Sequence, residues 1–394
     1  MPTTRGWAAL GAGLALLILW IAFGEQLLLA TAALLILGTV IGAVSVRRSA
    51  PSVEVDRTIT PLQIHDGDSA IVELELRSFR RSSNVLVTDS VGSLGSAVFL
   101  ADQLSADEPM AARYEVDCRP RGIYTVGPAH IKVQDLLGLA ERGRTMGSTS
   151  RLVVYPVIDP LTGLPIIRGQ DPNQNVARSN HSPVGGDDFF TLRHYQQGDD
   201  LRRVHWPSSA RRDELMIKQL EMPWQSRAFI ALDPRSSSYA SPAAFEYAVR
   251  GAASAVAHLH KSGFAPTVWL GGTRATHLNG HSAYSKVLEE LAGVAMNRSI
   301  NLQAAFSKVR NTGVRGGVLV LVTGTPDKDL LGVYRLLRRD YRSAVVMAST
   351  TQTTDAVELL GNAGAVYMQS HEGESWTVPW RQGMERTWST ATAR

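Results

Sequence analysis

Three features of the sequence predict a membrane helical hairpin, then a β-sandwich-like domain, then a doubly wound α/β domain. Two uncharged apolar runs fall within the first 46 residues. From Ser52 to Pro156 apolar and polar residues alternate in short runs. After Gln225, strands that are apolar throughout are separated by helical stretches. The chain has 394 residues, of which 44% are hydrophobic and 19% charged, against roughly 25% charged in an average soluble domain. That length accommodates several domains.

The first runs are Trp7 to Phe23 and Leu27 to Val46. At 1.5 Å per residue they span about 25 and 30 Å, the scale of a bilayer core. Gly24-Glu25-Gln26 joins them tightly, so residues 1–48 read as a two-helix transmembrane hairpin. A cleaved signal peptide would need a small-x-small site, which Phe23-Gly24-Glu25-Gln26 does not supply. Arg5 flanks one end and Arg47-Arg48 the other, while Glu25 is the only charge between the runs. The positive-inside rule then predicts an inner (cytoplasmic) membrane protein with two passes, both termini and the soluble domains in the cytoplasm.

Residues 49–158 form the β-sandwich-like domain. Val53-Glu54-Val55, Ala70 to Leu76, Asn84 to Val87, Ile123 to Val126 and Leu152 to Tyr155 alternate with period two, as a sheet with one wet face requires. Turn formers at Asp66-Gly67-Asp68, Arg121-Gly122 and Gly127-Pro128 punctuate them. About seven strands in about 100 residues suggest an immunoglobulin-like sandwich, and a small barrel would give the same pattern. The single cysteine, Cys118, excludes an internal disulfide or a multi-cysteine zinc site.

The α/β domain is placed at 225–370, with 371–394 as a C-terminal tail. Ala228 to Leu232, Thr267 to Leu270, Gly317 to Val322 and Ala344 to Met347 are apolar on both faces, the mark of parallel strands covered by helices. Ala243 to His260, Ser285 to Met296 and Asp329 to Tyr341 carry the helical spacing. In a Rossmann-type sheet the ligand site lies at the carboxyl ends of the strands, here around Asp233 and Thr323.

The common nucleotide, zinc-protease and hydrolase motifs are absent from the sequence. His258 and His260 are two residues apart, hence on different helix faces, and read as surface residues. A formal charge of +4 is too small a surplus to indicate a nucleic-acid partner. The densest constellation is the linker at 159–224, above all Gly185 to Leu215. Arg193 to Lys218 interleaves basic and acidic side chains. That mixture suits bidentate Arg-carboxylate pairs locking the sandwich to the α/β domain better than it suits a phosphate patch.

These residues carry a resemblance. Phe189, Leu192-Arg193, Tyr195, Gly198-Asp199-Asp200, Arg202, Trp206, Ala210-Arg211 and Leu215 are similar to the signature of the bacterial "domain of unknown function 58" family. Upstream, Arg119 to Tyr124, Gly127-Pro128, Asp135 to Leu139 and Val154-Tyr155-Pro156 also resemble it. The resemblance implies a von Willebrand factor A-like last domain. It also implies an accessory role beside a MoxR-type AAA+ ATPase and a transglutaminase-like membrane protein. In such domains an Asp-x-Ser-x-Ser turn supplies oxygens that suit Mg²⁺. The matching metal positions here are Asp233, Ser237 and Thr323, with the cation Arg235 where the first Ser would stand, so no cofactor is expected. His205 stands where the family often has an acidic residue.

The functional expectation is a non-enzymatic, membrane-anchored scaffold or adaptor that binds another protein. Arg193, Tyr195, Gly198, Asp199, Asp200, Arg202, Trp206 and Arg211 are its candidate interaction residues. Two other functions fit parts of the sequence: a metal-dependent enzyme using Asp199, Asp200 and Asp233, and an anion or nucleotide sensor using Arg202, Arg203 and Arg211.

Overall fold

Uncharged runs of this length satisfy every backbone group internally only as helices, and the first 48 residues form two. The computed structural model describes residues 1–48, 53–78, 82–104, 109–164, 191–194, 204–212, 214–219, 227–278, 281–310 and 316–392. Helix α1 spans Thr4–Phe23 and α2 spans Gln26–Arg48, both long and apolar enough to cross a membrane. The Thr3 hydroxyl oxygen accepts the Gly6 amide at 3.1 Å and caps α1. Gly24, at φ +69°, ends it in the left-handed conformation that glycine adopts without a Cβ clash. The chain then reverses within two residues. The helices pack closely where Gly13 faces Ile36, since an added Cβ would stand 2.8 Å from Ile36 Cγ1.

Two compact units follow from the pattern of contacts, Met1–Val157 and Ile158–Arg394. In the first, the strands are β1 (Val53–Thr60), β2 (Gln63–His65), β3 (Ser69–Ser78), β4 (Ser82–Val91), β5 (Gly95–Leu104), β6 (Met110–Asp117), β7 (Gly122–Val126), β8 (Ala129–Gln134), β9 (Glu141–Met146) and β10 (Ser150–Tyr155). They form one sheet in the order β1-β3-β6 and a second in the order β2-β10-β7-β4-β8-β9, with β5 also paired to β4. Val55, Leu74 and Leu76 of the first sheet share a core with Val85, Val87, Ile131 and Val133 of the second. The sandwich is therefore built from alternating residues, as the period predicts, but with ten strands among the described residues rather than about seven. The extra ones escape a hydrophobic reading for physical reasons: β2 is three residues long, and β9, Glu-Arg-Gly-Arg-Thr-Met, is wet almost throughout.

A buried ion pair ties the two sheets. Arg57 Nη2 lies 2.5 Å from Asp89 Oδ1, and both side chains are almost wholly shielded from solvent. Arg57 Nη1 donates to the Ser148 carbonyl at 2.6 Å, and the Tyr114 hydroxyl donates to Asp89 Oδ2 at 2.7 Å. Burial, and then the bond to the Asp89 carboxylate, push the Tyr114 phenol far above its ordinary range.

In the second unit, the described elements begin with β11 (Thr191–His194), α3 (Trp206–Arg212) and β12 (Met216–Gln219), β11 and β12 pairing antiparallel. The main sheet comprises β13 (Arg227–Leu232), β14 (Ala265–Trp269), β15 (Thr276–His277), β16 (Val318–Thr323), β17 (Ser343–Ser349) and β18 (Val366–Ser370). Its order is β15-β14-β13-β16-β17-β18, parallel except for the short edge strand β15. The helices are α4 (Pro242–Lys261), α5 (His281–Gly293), α6 (Leu302–Arg310), α7 (Lys328–Arg338), α8 (Asp355–Asn362) and α9 (Thr377–Thr392). Phe229, Leu319 and Leu321 bury one face of the sheet with Phe306 of α6 and Leu330, Tyr334 and Leu337 of α7. Helix α4, its stripe of alanines fully buried, covers the other face.

The segment expected as a tail is part of this unit. Trp376 and Trp380 are fully buried. The Trp376 ring stacks on Tyr247 of α4 at 5.0 Å, and its Nε1 donates to the Tyr247 carbonyl at 3.1 Å. Gly251 gives the indole its room, an added Cβ lying 2.8 Å from two of its atoms. Asp159 completes the clasp by pairing with Arg250 of α4 and accepting the Trp376 amide at 3.1 Å. His258 is half-buried rather than free on the surface: its Nε2 donates to the Gly163 carbonyl at 2.8 Å, and burial lowers its pKa.

Candidate functional site

Strand β13 leads through α4 to β14 on one side of the sheet, whereas β16 leads through α7 to β17 on the other. The carboxyl ends of β13 and β16 therefore flank a topological switch point, where open α/β sheets leave a crevice. Asp233 is the first residue beyond β13 and Thr323 the last of β16. The loops behind them interlock: Thr325 N donates to the Ser238 carbonyl at 2.7 Å. An added Cβ at Gly324 would run into that same carbonyl, so only glycine allows this approach.

Asp233 is buried and its carboxylate is saturated. Oδ2 accepts the hydroxyls of Ser238 and Thr323, each at 3.0 Å, and Arg235 Nη2 at 2.9 Å. Oδ1 accepts the Arg235 amide at 3.0 Å and Nε at 3.1 Å. The rest of the guanidinium turns to the neighbouring loop. Nη1 reaches Asp327 Oδ2 at 2.8 Å and Asp329 Oδ2 at 3.3 Å, while Nη2 reaches Asp327 Oδ1 at 3.0 Å. All five N–H groups of the fork thus point to carboxylate oxygens. Burial alone would lower the Arg235 pKa, but hydrogen bonds to Asp233 and Asp327 outweigh it and hold the guanidinium charged. Burial would likewise raise Asp327; Arg235 and the Leu330 amide, which Asp327 caps at the start of α7, bring it below the usual carboxylate range.

The carboxylate oxygens that a divalent ion would use here already hold the cationic side chain of Arg235. Of the residues expected to ligate a metal, Asp233 and Thr323 do meet. Ser237 does not join them: it is exposed, and its neighbour Ser238 bonds Asp233 instead. Neither Asp327 nor Asp329 is among the residues expected at the site from the sequence. The local signal was present, since Pro326-Asp327 precedes the amphipathic α7 as a helix cap would. Beside the cluster lies an open groove of about 480 Å³, lined by Tyr239, Thr325, Asp327, Lys328, Gln352 and Asp355 among others. One arginine against three aspartates leaves the cluster acidic, and Lys328 and Asp329 stand exposed at its edge.

The linker constellation is described in part. Tyr195, Gly198, Asp199, Asp200, Arg202 and Arg203 lie outside the described residues, and so does the side chain of Arg193. Val204, Ser209 and Met216 are buried, and the Ser209 hydroxyl accepts the Met216 amide at 2.9 Å. Arg211, two residues beyond Ser209, is about 200° further round α3 and stands exposed. It therefore does not form the buried pair that the interleaved charges suggest. Trp206 is exposed as well, at 65%. His205 precedes α3 as a cap: its Nδ1 accepts the Ser208 amide at 3.3 Å and lies 2.8 Å from the Ser208 hydroxyl. A carboxylate at this position could make the same bond.

The model of the family described as "Protein of unknown function DUF58" matches residues 191–388, half of the chain. The chain belongs to the DUF58 family. The match runs from β11 into α9, so it takes in the clasp of buried tryptophans as well as the Asp233 cluster. The chain is 27% identical over 224 residues to the "Uncharacterized protein YeaD" of Bacillus subtilis (strain 168), a match that covers 54% of each chain. The present chain thus spans about half the length of the curated relative it matches. Among solved structures, a CARDB domain from Pyrococcus furiosus shares 13% identity at a TM-score of 0.21, covering 27% of this chain and 94% of that one. The alkylpurine DNA glycosylase AlkC of Pseudomonas fluorescens shares 17% at a TM-score of 0.20, covering 32% and 38%.

Proposed function

We propose that this DUF58 protein is a membrane-anchored interaction protein without catalytic activity, whose α/β unit receives a partner protein at the groove beside Arg235. The observation that carries this reading is the saturated cluster itself. Asp233 spends both oxygens on Arg235, Ser238 and Thr323, which leaves it unsuited to act as a general base or metal ligand. What the cluster offers is a fixed polar platform with exposed charges at its edge. The order β15-β14-β13-β16-β17-β18 with an antiparallel edge favours a von Willebrand A-like unit. Arg5, Arg47 and Arg48 favour a cytoplasmic location for both units. The family resemblance makes a MoxR-type AAA+ ATPase the first candidate partner, with a transglutaminase-like membrane protein in the same system.

Affinity purification of the tagged, detergent-solubilised full chain from its native cells tests this. The parent chain should retain a cytoplasmic protein. The exposed double variant Lys328→Ala/Gln352→Ala should lose most of it while melting like the parent. Equal retention by both chains would remove the groove from the account, and recovery of no protein by the parent would remove the interaction.

A further inference from the structure

We propose that the β8–β9 turn, Asp135 to Ala140, is a lipid-contacting loop that seats Leu136 and Leu137 in the membrane interface beside the hairpin. This rests on reading α1 and α2 as membrane spans. Leu136 and Leu137 are 87% and 68% exposed, the two most exposed large apolar side chains among the described residues of the sandwich. The turn is fixed rather than loose. Asp135 Oδ1 accepts the Ala140 amide at 2.6 Å and Oδ2 the Leu137 amide at 3.2 Å. Gly138 supplies the positive φ, +68°, that closes the turn. The two leucines are therefore presented by design of the backbone, and removing apolar area from water is favourable in proportion to that area.

The same turn is fastened to the ends of both helices. Thr3 N donates to the Leu139 carbonyl at 2.9 Å, the Thr3 hydroxyl donates to the Gly138 carbonyl at 2.6 Å, and Glu141 N donates to the Met1 carbonyl at 2.9 Å. At Gly6 an added Cβ would strike the Leu139 carbonyl. On α2, an added Cβ at Gly42 would stand 2.9 Å from Asp135 Oδ2. Gly42 is six residues before Arg48, so the turn reaches about 9 Å along α2 from its charged end. Trp7, exposed one turn inside Thr3, is the aromatic residue that favours that depth. Arg5, Arg47 and Arg48 add the charges that anionic headgroups attract. An exposed apolar pair on a turn held to an apolar hairpin, whose same end carries Arg5, Arg47 and Arg48, fits a lipid surface.

The test uses the full chain with Cys118→Ala, carrying Leu136→Cys, Leu137→Cys or Leu34→Cys, each labelled with an environment-sensitive fluorophore. The chains are placed in phosphatidylcholine/phosphatidylglycerol vesicles containing nitroxide lipids. Leu34 is exposed in the middle of α2 and reports the membrane span itself. Labels at 136 and 137 should shift to the blue and be quenched more by nitroxides near the headgroup than by deep ones, whereas the label at 34 should prefer the deep ones. Quenching at 34 together with iodide access at 136 and 137 would overturn the loop proposal and leave the hairpin standing. Shielding of 136 and 137 from both quenchers would also overturn it, because protein rather than lipid would then cover them. Lack of lipid quenching at 34 would overturn the membrane reading first.

Discussion

The guanidinium of Arg235 divides its five N–H groups among Asp233, Asp327 and Asp329, so any second cation at those oxygens must approach a fixed positive charge. At about 4 Å and an effective dielectric of about 20, the repulsion is about 4 kcal/mol per unit of ion charge. Calorimetric titration of Mg²⁺ into the solubilised chain should therefore show no saturable binding, while Arg235→Ser should gain Mg²⁺-dependent thermal stability. Micromolar affinity in the parent that disappears in Asp233→Ala would contradict this. The conflict between Arg235 and a metal turn is legible in the sequence, because it needs only five consecutive residues. Its partners Asp327 and Asp329 lie more than 90 residues away and meet it only because β16 pairs with β13, an adjacency that no local periodicity encodes. Arg211 shows the converse. Interleaved charges suggest a buried pair, but its place on α3 leaves it exposed. Arg211→Ala should change stability by no more than about 0.5 kcal/mol, which parallel melting of variant and parent will check.

Elements were legible where one period dominates. The strands β13, β16 and β17, apolar apart from their end residues, and the amphipathic α7 fall close to where their patterns put them. Helix α5 ends at Gly293, three residues before Met296, since glycine gives up more chain entropy in a helix than other residues. The last helix escapes the periodic reading because, among the described residues, the large side chains buried at its start are two indoles and a methionine rather than an aliphatic stripe: Trp376 immediately before α9, and Trp380 and Met384 within it. Their burial makes α9 a structural element of the α/β unit. Trp376→Ala removes a fully buried side chain that both stacks and hydrogen-bonds, and should cost about 3–5 kcal/mol. A thermal melt of the solubilised chain will read that loss; an unchanged midpoint would mean that α9 contributes little to the unit.

At the scale of the whole chain, the order of hairpin, sandwich and α/β unit could be read from three successive patterns along the sequence. The fastening of Met1 and Thr3 to the β8–β9 turn could not, because two of its three hydrogen bonds join backbone groups that any sequence carries and the third needs only a hydroxyl at Thr3. That contact places the N-terminus and the sandwich at the same end of the hairpin, as two antiparallel helices require. The central claim joins this anchor to a partner held at the Arg235 platform. Site-specific photo-crosslinking in intact native cells tests both together, with a photoreactive residue substituted for exposed Lys328 or Gln352 at the groove. The account predicts a membrane-bound adduct between the chain and a cytoplasmic protein from both positions. The absence of any protein adduct from either position, or adducts only with proteins outside the cytoplasm, would contradict it.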